Sequence, residues 1–197
     1  LGIRLPIDDA SGSMIVDIGG GTTDITVISL NGVVNGKNIK IAGDRLNNDI
    51  IAYIRDEFKI LIGERTAEDI KLNAGAIIPE KEPLQVTARG RDLITGLPRE
   101  VVVTDADVRD AIAGSIDTIV ESIKEVLETT PPEIVSDIMR RGIYLVGGGA
   151  LIRGFDVFLS EWLKVPVYIA DDPITSVARG TGIVVEETEK YFDIIVD

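Results

Sequence analysis

Three consecutive glycines at positions 19–21 constrain the fold of this chain more than any other feature of its sequence. A short apolar run at 14–18 precedes them, and a run rich in β-branched residues follows at 22–30. Runs of that composition, bounded by turn residues, are typical of β-strands. We therefore expect two adjacent strands, with the glycines forming the turn between them.

A second turn signal follows at once. Asn31-Gly32 is typical of a type I′ hairpin turn, and the segment 33–41 ends in alternating apolar and polar residues. We therefore expect a third strand and an antiparallel meander. The rest of the chain alternates between helical and strand patterns. Helices are expected at 46–60, from Thr66 to about Asn73, from Thr104 to before Pro131, at 133–139, at about 151–162 and at 176–187. Strands are expected at 143–146 and 165–169, and a small hairpin unit within 76–103. Asp107, three residues after Thr104, completes a capping box.

This order of elements predicts an α/β fold, in which helices flank a mixed sheet and the segment 44–103 interrupts it as a small α+β insertion.

The absence of Cys excludes disulfides and thiolate sites, and the absence of His excludes a Ser-His-Asp triad and imidazole ligands. With 33 acidic and 20 basic residues the net charge is −13, which disfavours nucleic acid and anionic membranes as partners. No apolar run approaches the roughly 20 residues needed to span a bilayer. The opening Leu1-Gly2-Ile3 resembles the middle of a longer, cytosolic protein.

The segment Asp17-Ile-Gly-Gly-Gly-Thr-Thr-Asp24 is the strongest candidate for chemistry. Consecutive glycines at a turn expose backbone amides that bind anions, and Thr22 and Thr23 add hydroxyl donors. Asp17 ends the strand beside them, and a carboxylate next to a phosphate requires a cation such as Mg²⁺, or an ordered water, between the two. The alternative is a plain glycine-rich turn. The segment is not a Walker A loop, because it lacks Gly-Lys-Ser/Thr and leads into a strand.

Other candidates carry weaker signals. Gly147, Gly148 and Gly149, followed by Ala150 and Leu151, form a second glycine turn, here expected to open a helix that could approach a nucleotide. Glu68 and Lys71 are three residues apart and can face one side of a helix, either as a site or as an ordinary ion pair. Asp44 is expected to cap the following helix, and Asp171-Asp172-Pro173 to form a turn. Metal ligation at these aspartates is the minority interpretation.

These segments resemble a known superfamily. Asp17 to Asp24 resembles the second phosphate loop of the actin, Hsp70 and sugar-kinase superfamily. Six further stretches, in this order, are similar to the MreB/Mbl family of bacterial actin-like, rod shape-determining proteins: Ile41-Ala-Gly-Asp44, Ile62-Gly-Glu-Arg-Thr-Ala-Glu68, Thr95-Gly-Leu-Pro-Arg99, Thr130-Pro-Pro-Glu133, Gly147-Gly-Gly-Ala-Leu151 and Asp172-Pro173. The resemblance covers nearly the whole chain and implies the second domain of such a protein.

The resemblance implies an actin-like, RNase H-like subdomain at 1–43 and 104–197, with an outer subdomain at 44–103. It also implies roles for particular residues. Gly19, Gly20, Gly21, Thr22 and Thr23 would hold the β- and γ-phosphates of ATP, and Asp17 would position Mg²⁺ through water. The other predicted nucleotide contacts are Glu68, Asp69, Ile70 and Lys71 beside the adenosine, and Gly147, Gly148, Gly149, Ala150 and Leu151 over the ribose and α-phosphate. Actins carry an acidic residue where this chain has Leu72, which leaves one ribose contact without a counterpart.

Family membership would further imply a protein that polymerises head to tail with ATP, in the cytoplasm at the inner face of the membrane, and directs cell-wall growth and rod shape. The first phosphate loop, the water-activating residue and the membrane contact would belong to a preceding domain. The chain alone is therefore expected to bind ATP weakly and to turn none over. A RodZ-like membrane-anchored protein is the implied partner. Half of a sugar or acetate kinase and a non-catalytic adaptor are the alternatives, and the choice of ATP over GTP stays open.

Overall fold

The fold is built on an antiparallel meander near the beginning of the chain. A computed structural model describes residues 1–6 and 8–191. It contains β1 (Ser13–Ile18), β2 (Thr23–Ser29) and β3 (Gly32–Ile39), with β2 antiparallel to both neighbours. The three glycines connect β1 to β2. The predicted meander and the place of the glycines are confirmed.

The turn between β2 and β3 differs by one residue from the prediction. Ser29 pairs with Gly32, so the central turn residues are Leu30 and Asn31, with φ of 50° and 61°. Two positive φ values are the mark of a type I′ turn, but Asn31-Gly32 is not its centre. Burial of alternate residues fixes the register of β2, and an irregularity in the ladder near Val27 and Ile28 shifts its partner strand.

Two parallel strands extend the meander into a mixed sheet. β7 (Ile143–Val146) pairs with β1, and β8 (Val167–Ile169) pairs with β7, which gives the order β3-β2-β1-β7-β8. A second, antiparallel sheet contains β4 (Ile60–Leu61), β5 (Gln85–Asp92) and β6 (Pro98–Thr104). The predicted α/β fold with a mixed sheet is confirmed.

Six α-helices and two single 3₁₀ turns lie within the described residues: α1 (Gly43–Phe58), α2 (Glu64–Ala74), α3 (Asp105–Thr129), α4 (Pro132–Arg141), α5 (Phe155–Leu163) and α6 (Ser176–Glu186), with 3₁₀ turns at Gly148–Leu151 and Pro173–Thr175. The capping box at the start of α3 is confirmed. The Thr104 hydroxyl accepts from the Asp107 amide at 3.3 Å, and the Asp107 carboxylate accepts from the Thr104 amide at 2.8 Å.

Three predicted helix starts are wrong. Asp44 lies in the first turn of α1 rather than at its N-cap, which is Ala42. The Gly43 and Asp44 amides donate to carbonyls of the glycine turn, so no side-chain cap is required. Likewise Thr66 lies inside α2, whose N-cap is the extended Gly63. The helix expected from Leu151 begins only at Phe155, after the 3₁₀ turn.

The core lies between the five-stranded sheet and helices α1 and α3. Met14, Val16 and Ile18 on β1 are fully buried, whereas Ile15 and Asp17 between them face the other side of the sheet and are only half-buried. Burying an isoleucine or leucine side chain stabilises the fold by about 1.5–3 kcal/mol. The end of β1, where the glycine turn begins, is therefore held firmly in place.

Candidate functional site

A cavity of about 460 Å³ lies where the glycine turn, the start of α1, α2 and the 3₁₀ segment after β7 meet. Its walls are built from polar and apolar residues of all four elements: Gly19, Gly20, Gly43, Asp44, Leu46, Glu68, Lys71, Leu72, Gly75, Gly148, Gly149, Leu151, Ile152, Arg153 and Ile174. Its size is within the range of small-ligand sites, which are typically concave and about 300–1,000 Å³.

The glycine turn is held by α1 through its carbonyl groups. Gly43 donates to the Gly19 carbonyl at 3.1 Å, and Asp44 donates to the Gly20 carbonyl at 2.8 Å. In a trans peptide the N–H points opposite to the preceding C=O. The amides of Gly20 and Gly21 therefore both point away from α1, on the exposed side of the turn.

Those two amides have no hydrogen-bond acceptor within residues 1–6 and 8–191. The Gly19 amide, by contrast, closes the turn by donating to the Thr22 carbonyl at 3.0 Å. Both Gly20 and Gly21 are exposed, so water satisfies their amides when no ligand does. Adjacent unpaired amides of this kind form an anion-binding nest.

Packing does not explain why Gly20 and Gly21 are glycines. Neither has a positive φ, and a Cβ at either would lie 3.8 or 4.0 Å from the Asp44 carboxylate, which is ordinary contact. Glycine costs roughly 0.5–1 kcal/mol of backbone entropy relative to alanine in regular structure. A ligand that approaches the backbone closely would account for two glycines that the chain itself does not need.

Lys71 connects α2 to the same turn. Its side chain is 10% exposed, and its Nζ donates to the Glu68 carboxylate at 2.7 Å and to the Gly43 carbonyl at 3.2 Å. The predicted shared face of Glu68 and Lys71 is thus confirmed. Asn47, which is buried, also donates to Glu68, at 2.7 Å.

The charge state of Glu68 follows from these contacts. Burial acts to raise the pKa of Glu68, but the hydrogen bonds from Lys71 and Asn47 outweigh it and leave the pKa below its ordinary value. Glu68 is therefore ionised at neutral pH, and it presents a carboxylate to the cavity.

The second glycine turn packs against the end of β1. Gly147 has φ 80° and ψ 170°, and a Cβ there would lie 2.4 Å from the Ile18 carbonyl oxygen and 2.5 Å from an Asp17 carboxylate oxygen. At Gly149 a Cβ would lie 2.2 Å from the Ile18 side chain. Only Gly148 faces open space, and it lines the cavity. The prediction that this turn opens an α-helix is wrong, because a single 3₁₀ turn follows it.

Asp17 lies on the other face of the sheet, beside a second cavity of about 510 Å³ that α6 borders. It pairs in register with Asp24 on β2. Burial raises the pKa of the Asp17 carboxyl, and the charge of Asp24 raises it further. Within residues 1–6 and 8–191, no group of three acidic residues is arranged to hold a metal ion. Ligation of Mg²⁺ through water at Asp17 stays a prediction.

The structure brings together about half of the predicted contacts. Seven line the cavity: Gly19, Gly20, Glu68, Lys71, Gly148, Gly149 and Leu151. The others, apart from Asp17, lie outside its lining: Gly21, Thr22, Thr23, Asp69, Ile70, Gly147 and Ala150. Thr23 is fully buried and donates its hydroxyl to the Ile41 carbonyl at 2.7 Å, and Ile70 and Ala150 belong to the core.

Sequence reasoning missed several lining residues. Arg153 follows the second glycine turn closely, and a cation so placed was a signal that could have been used. Gly75 and Ile174 had no comparable signal, since only the fold brings them to the cavity.

No helix of the described segments is both long and apolar enough to cross a membrane.

Comparison with known proteins identifies the relatives of this chain. The sequence model of the family described as MreB/Mbl protein matches residues 1–193. The chain is 47% identical to the cell shape-determining protein Mbl of Bacillus subtilis over 190 residues, which are 96% of this chain and 57% of that protein. It is 46% identical to MreB of Escherichia coli K12 over 191 residues, 97% of this chain and 55% of MreB. The chain thus spans a little over half the length of these relatives.

Solved structures of MreB5 and MamK are similar to this chain. MreB5 of Spiroplasma citri bound to ADP superposes with a TM-score of 0.93 at 38% identity, covering 100% of this chain and 59% of MreB5. The same protein bound to AMPPNP gives 0.93 at 37%, covering 99% and 59%. A MamK double helical filament gives 0.76 at 26%, covering 89% and 54%. The fold is therefore actin-like.

Proposed function

This chain belongs to the MreB/Mbl protein family, and from that membership we propose that it is the nucleotide-binding second domain of an ATP-dependent bacterial actin. The observation that carries the proposal is the pair of outward-pointing amides at Gly20 and Gly21, in glycines that the packing does not require. The solved structures of MreB5 contain ADP or AMPPNP, which supports a nucleotide as the ligand of the cavity.

The phosphate end of the nucleotide would lie at the glycine turn. The amides of Gly20 and Gly21 would donate to the terminal phosphates, and the Lys71 ammonium, which lines the same cavity as Gly20, would offset part of the negative charge. Thr22 and Thr23 would act mainly through the backbone, because their hydroxyls already donate to Asp24 and to the Ile41 carbonyl.

The nucleoside would lie along α2 and the segment that follows the second glycine turn. Glu68 offers a carboxylate that can accept hydrogen bonds from ribose hydroxyls. Leu72 and Leu151 are 63% and 51% exposed and line the same cavity, where an apolar ring would cover them. Leu72 therefore adds apolar surface where actins have an acidic residue. Gly148 leaves the backbone open to close approach.

Asp17 would position Mg²⁺ through water. A cation next to Asp17 and Asp24 would lower their mutual repulsion and return the pKa of Asp17 toward its ordinary value. When bound, Mg²⁺ supplies charge neutralisation for the phosphates; this chain provides the carboxylate that orients its water ligands.

At the level of the whole protein, we propose ATP-dependent head-to-tail filaments in the cytoplasm, at the inner face of the membrane, that direct cell-wall growth and rod shape. A head-to-tail contact between copies is heterologous and gives open polymers. The MamK filament, a relative at 26% identity, supports self-association. The membrane contact would belong to the preceding domain, and a RodZ-like membrane-anchored protein would be the partner.

The proposal is tested by blocking the turn without unfolding the chain. The double variant Gly20→Ala, Gly21→Ala adds two methyl groups to the turn, each in ordinary contact with the Asp44 carboxylate at 3.8 and 4.0 Å. We therefore expect normal folding and at least a roughly tenfold loss of affinity for Mg·ADP. Gly114→Ala on α3, whose Cβ would meet nothing within 4 Å and which lies outside the cavity, is the control. Equal affinity of the two variants would contradict the proposal.

A further inference from the structure

Arg153 lines the same cavity as the glycine turn, but its hydrogen bond is to α2. Its guanidinium Nη1 donates to the Asn73 carbonyl at 3.3 Å, at the C-terminal end of α2. Lys71, by contrast, reaches the Gly43 carbonyl at the start of α1, next to the glycine turn. Of these two cations, only Lys71 therefore contacts the segment next to the glycine turn within the described residues. Arg153 is exposed and lines the cavity.

The main chain at Arg153 is fixed. Its carbonyl accepts from the Ile77 amide at 2.8 Å, and it forms a parallel bridge with Ala76. The next residue, Gly154, has φ 74°, and a Cβ there would lie 2.4 Å from the Ile78 side chain. The side chain of Arg153 thus starts from a rigid anchor.

Arg153 differs from Lys71 in having no ion-pair partner within the described residues, so its guanidinium can bind a ligand. Lys71 is paired with Glu68 at 2.7 Å. For Arg153, in contrast, the described residues provide no carboxylate within 4.0 Å. A guanidinium has five N–H donors on a planar group, and the bond to Asn73 uses one of them. Its other donors have no acceptor within the described residues.

Three exposed apolar side chains line the cavity together with Arg153. Leu72, Leu151 and Ile174 line the same cavity and are 63%, 51% and 65% exposed. A flat, apolar ligand group would cover them, whereas a phosphate would find no further donor among these three side chains. A guanidinium plane stacks well on aromatic rings, including nucleobases.

We propose that Arg153 binds the nucleobase, with its guanidinium plane stacked on the purine ring against these apolar side chains. The inference rests on the proposed function and adds a base contact outside both glycine turns. It assigns Arg153 to recognition of the ring, whereas the proposed function assigns the phosphates to the glycine turn.

The test compares two probes that differ only in the adenosine: ADP and inorganic pyrophosphate, each with Mg²⁺. Ligand-detected NMR measures the affinity of the chain, of Arg153→Ala and of Arg153→Lys. Arg140→Ala on α4, an exposed arginine outside the cavity, is the control. We expect Arg153→Ala to weaken ADP binding about two- to thirtyfold and to leave pyrophosphate binding unchanged. Lysine, which lacks the plane, should restore only part of the ADP affinity.

Other outcomes separate the alternatives. Equal losses for ADP and pyrophosphate would overturn the inference in favour of a phosphate contact. Unchanged ADP binding in Arg153→Ala, together with a lowered unfolding midpoint, would also overturn the inference. It would show that Arg153 only stabilises the contact between α2 and the segment after β7. If the unmodified chain binds neither probe, the proposed function itself fails; if it binds both and the variant does too, only this inference fails.

Discussion

Replacing Gly147 and Gly148 one at a time should separate the packing role of the second glycine turn from its place in the cavity. With φ 80° and ψ 170°, Gly147 occupies a region that is essentially restricted to glycine and costs other residues about 1–3 kcal/mol. A Cβ there would also lie 2.4 Å from the Ile18 carbonyl oxygen. That oxygen belongs to β1 and cannot move freely, so overpacking adds about 1–3 kcal/mol. We expect Gly147→Ala to lower the free energy of unfolding by about 2–6 kcal/mol.

Gly148→Ala is the matched control, because it lies next in the sequence, has no positive φ and would place its Cβ in open space. A glycine-to-alanine change at such a position is expected to stabilise the chain by about 0.4–1 kcal/mol, through the unfolded state. Urea unfolding followed by far-UV circular dichroism measures both variants. Unfolding free energies of the two variants within about 0.5 kcal/mol of each other would refute the steric reasoning. A native-like Gly147→Ala would also contradict the close packing of the second glycine turn against β1.

Three further predictions follow. Asp17→Asn should raise the thermal unfolding midpoint at pH 7, because the raised pKa of Asp17 means that its charge destabilises the fold. This gain in the midpoint should shrink as the pH falls through the pKa of Asp17. The same variant should weaken Mg²⁺-dependent nucleotide binding. Amide hydrogen bonds from Thr95 and Ile94, with Arg99, lower the pKa of Asp92 to about 2. Its stabilisation, measured as unfolding of the chain against Asp92→Asn, should persist above about pH 4 and disappear toward pH 2. The chain by itself should release phosphate from Mg·ATP at the background rate, and turnover like that of intact relatives would contradict the proposed division of labour.

Much of the fold could be predicted from local patterns. The strands around the glycines, the capping box of Thr104 and Asp107, and the shared face of Glu68 and Lys71 depend on residues close in sequence, so their spacing alone indicates them. The type of fold followed from the order of these elements.

What could not be predicted depends on contacts between distant segments. The N-cap of α1 needs no side chain because carbonyls of the glycine turn, more than 20 residues earlier, accept its first amides. The register of the second hairpin follows from burial of β2, which places Leu30 in the turn despite its unfavourable φ. Arg153 and Ile174 reach the cavity only because β7 pairs in parallel with β1, and β8 with β7.

The position of Asp17 depends partly on the local sequence and partly on contacts between distant segments. Its alternation with the buried Val16 and Ile18 places it on the opposite face of the sheet, which the strand period indicates. Its contact with Gly147 is not visible in the sequence, because it arises from the pairing of Asp17 with Val146 across parallel strands. The link between the two glycine turns is therefore a property of the sheet.

The most direct measurement is a titration of the ¹⁵N-labelled chain with Mg·ADP, followed by amide NMR shifts. The amides of Gly20 and Gly21 should shift most and together, with Lys71 and Gly148 next, and the double variant Gly20→Ala, Gly21→Ala should lose the response. Saturable shifts confined to another surface, with both glycine amides unmoved, would contradict the claim that this turn binds phosphate.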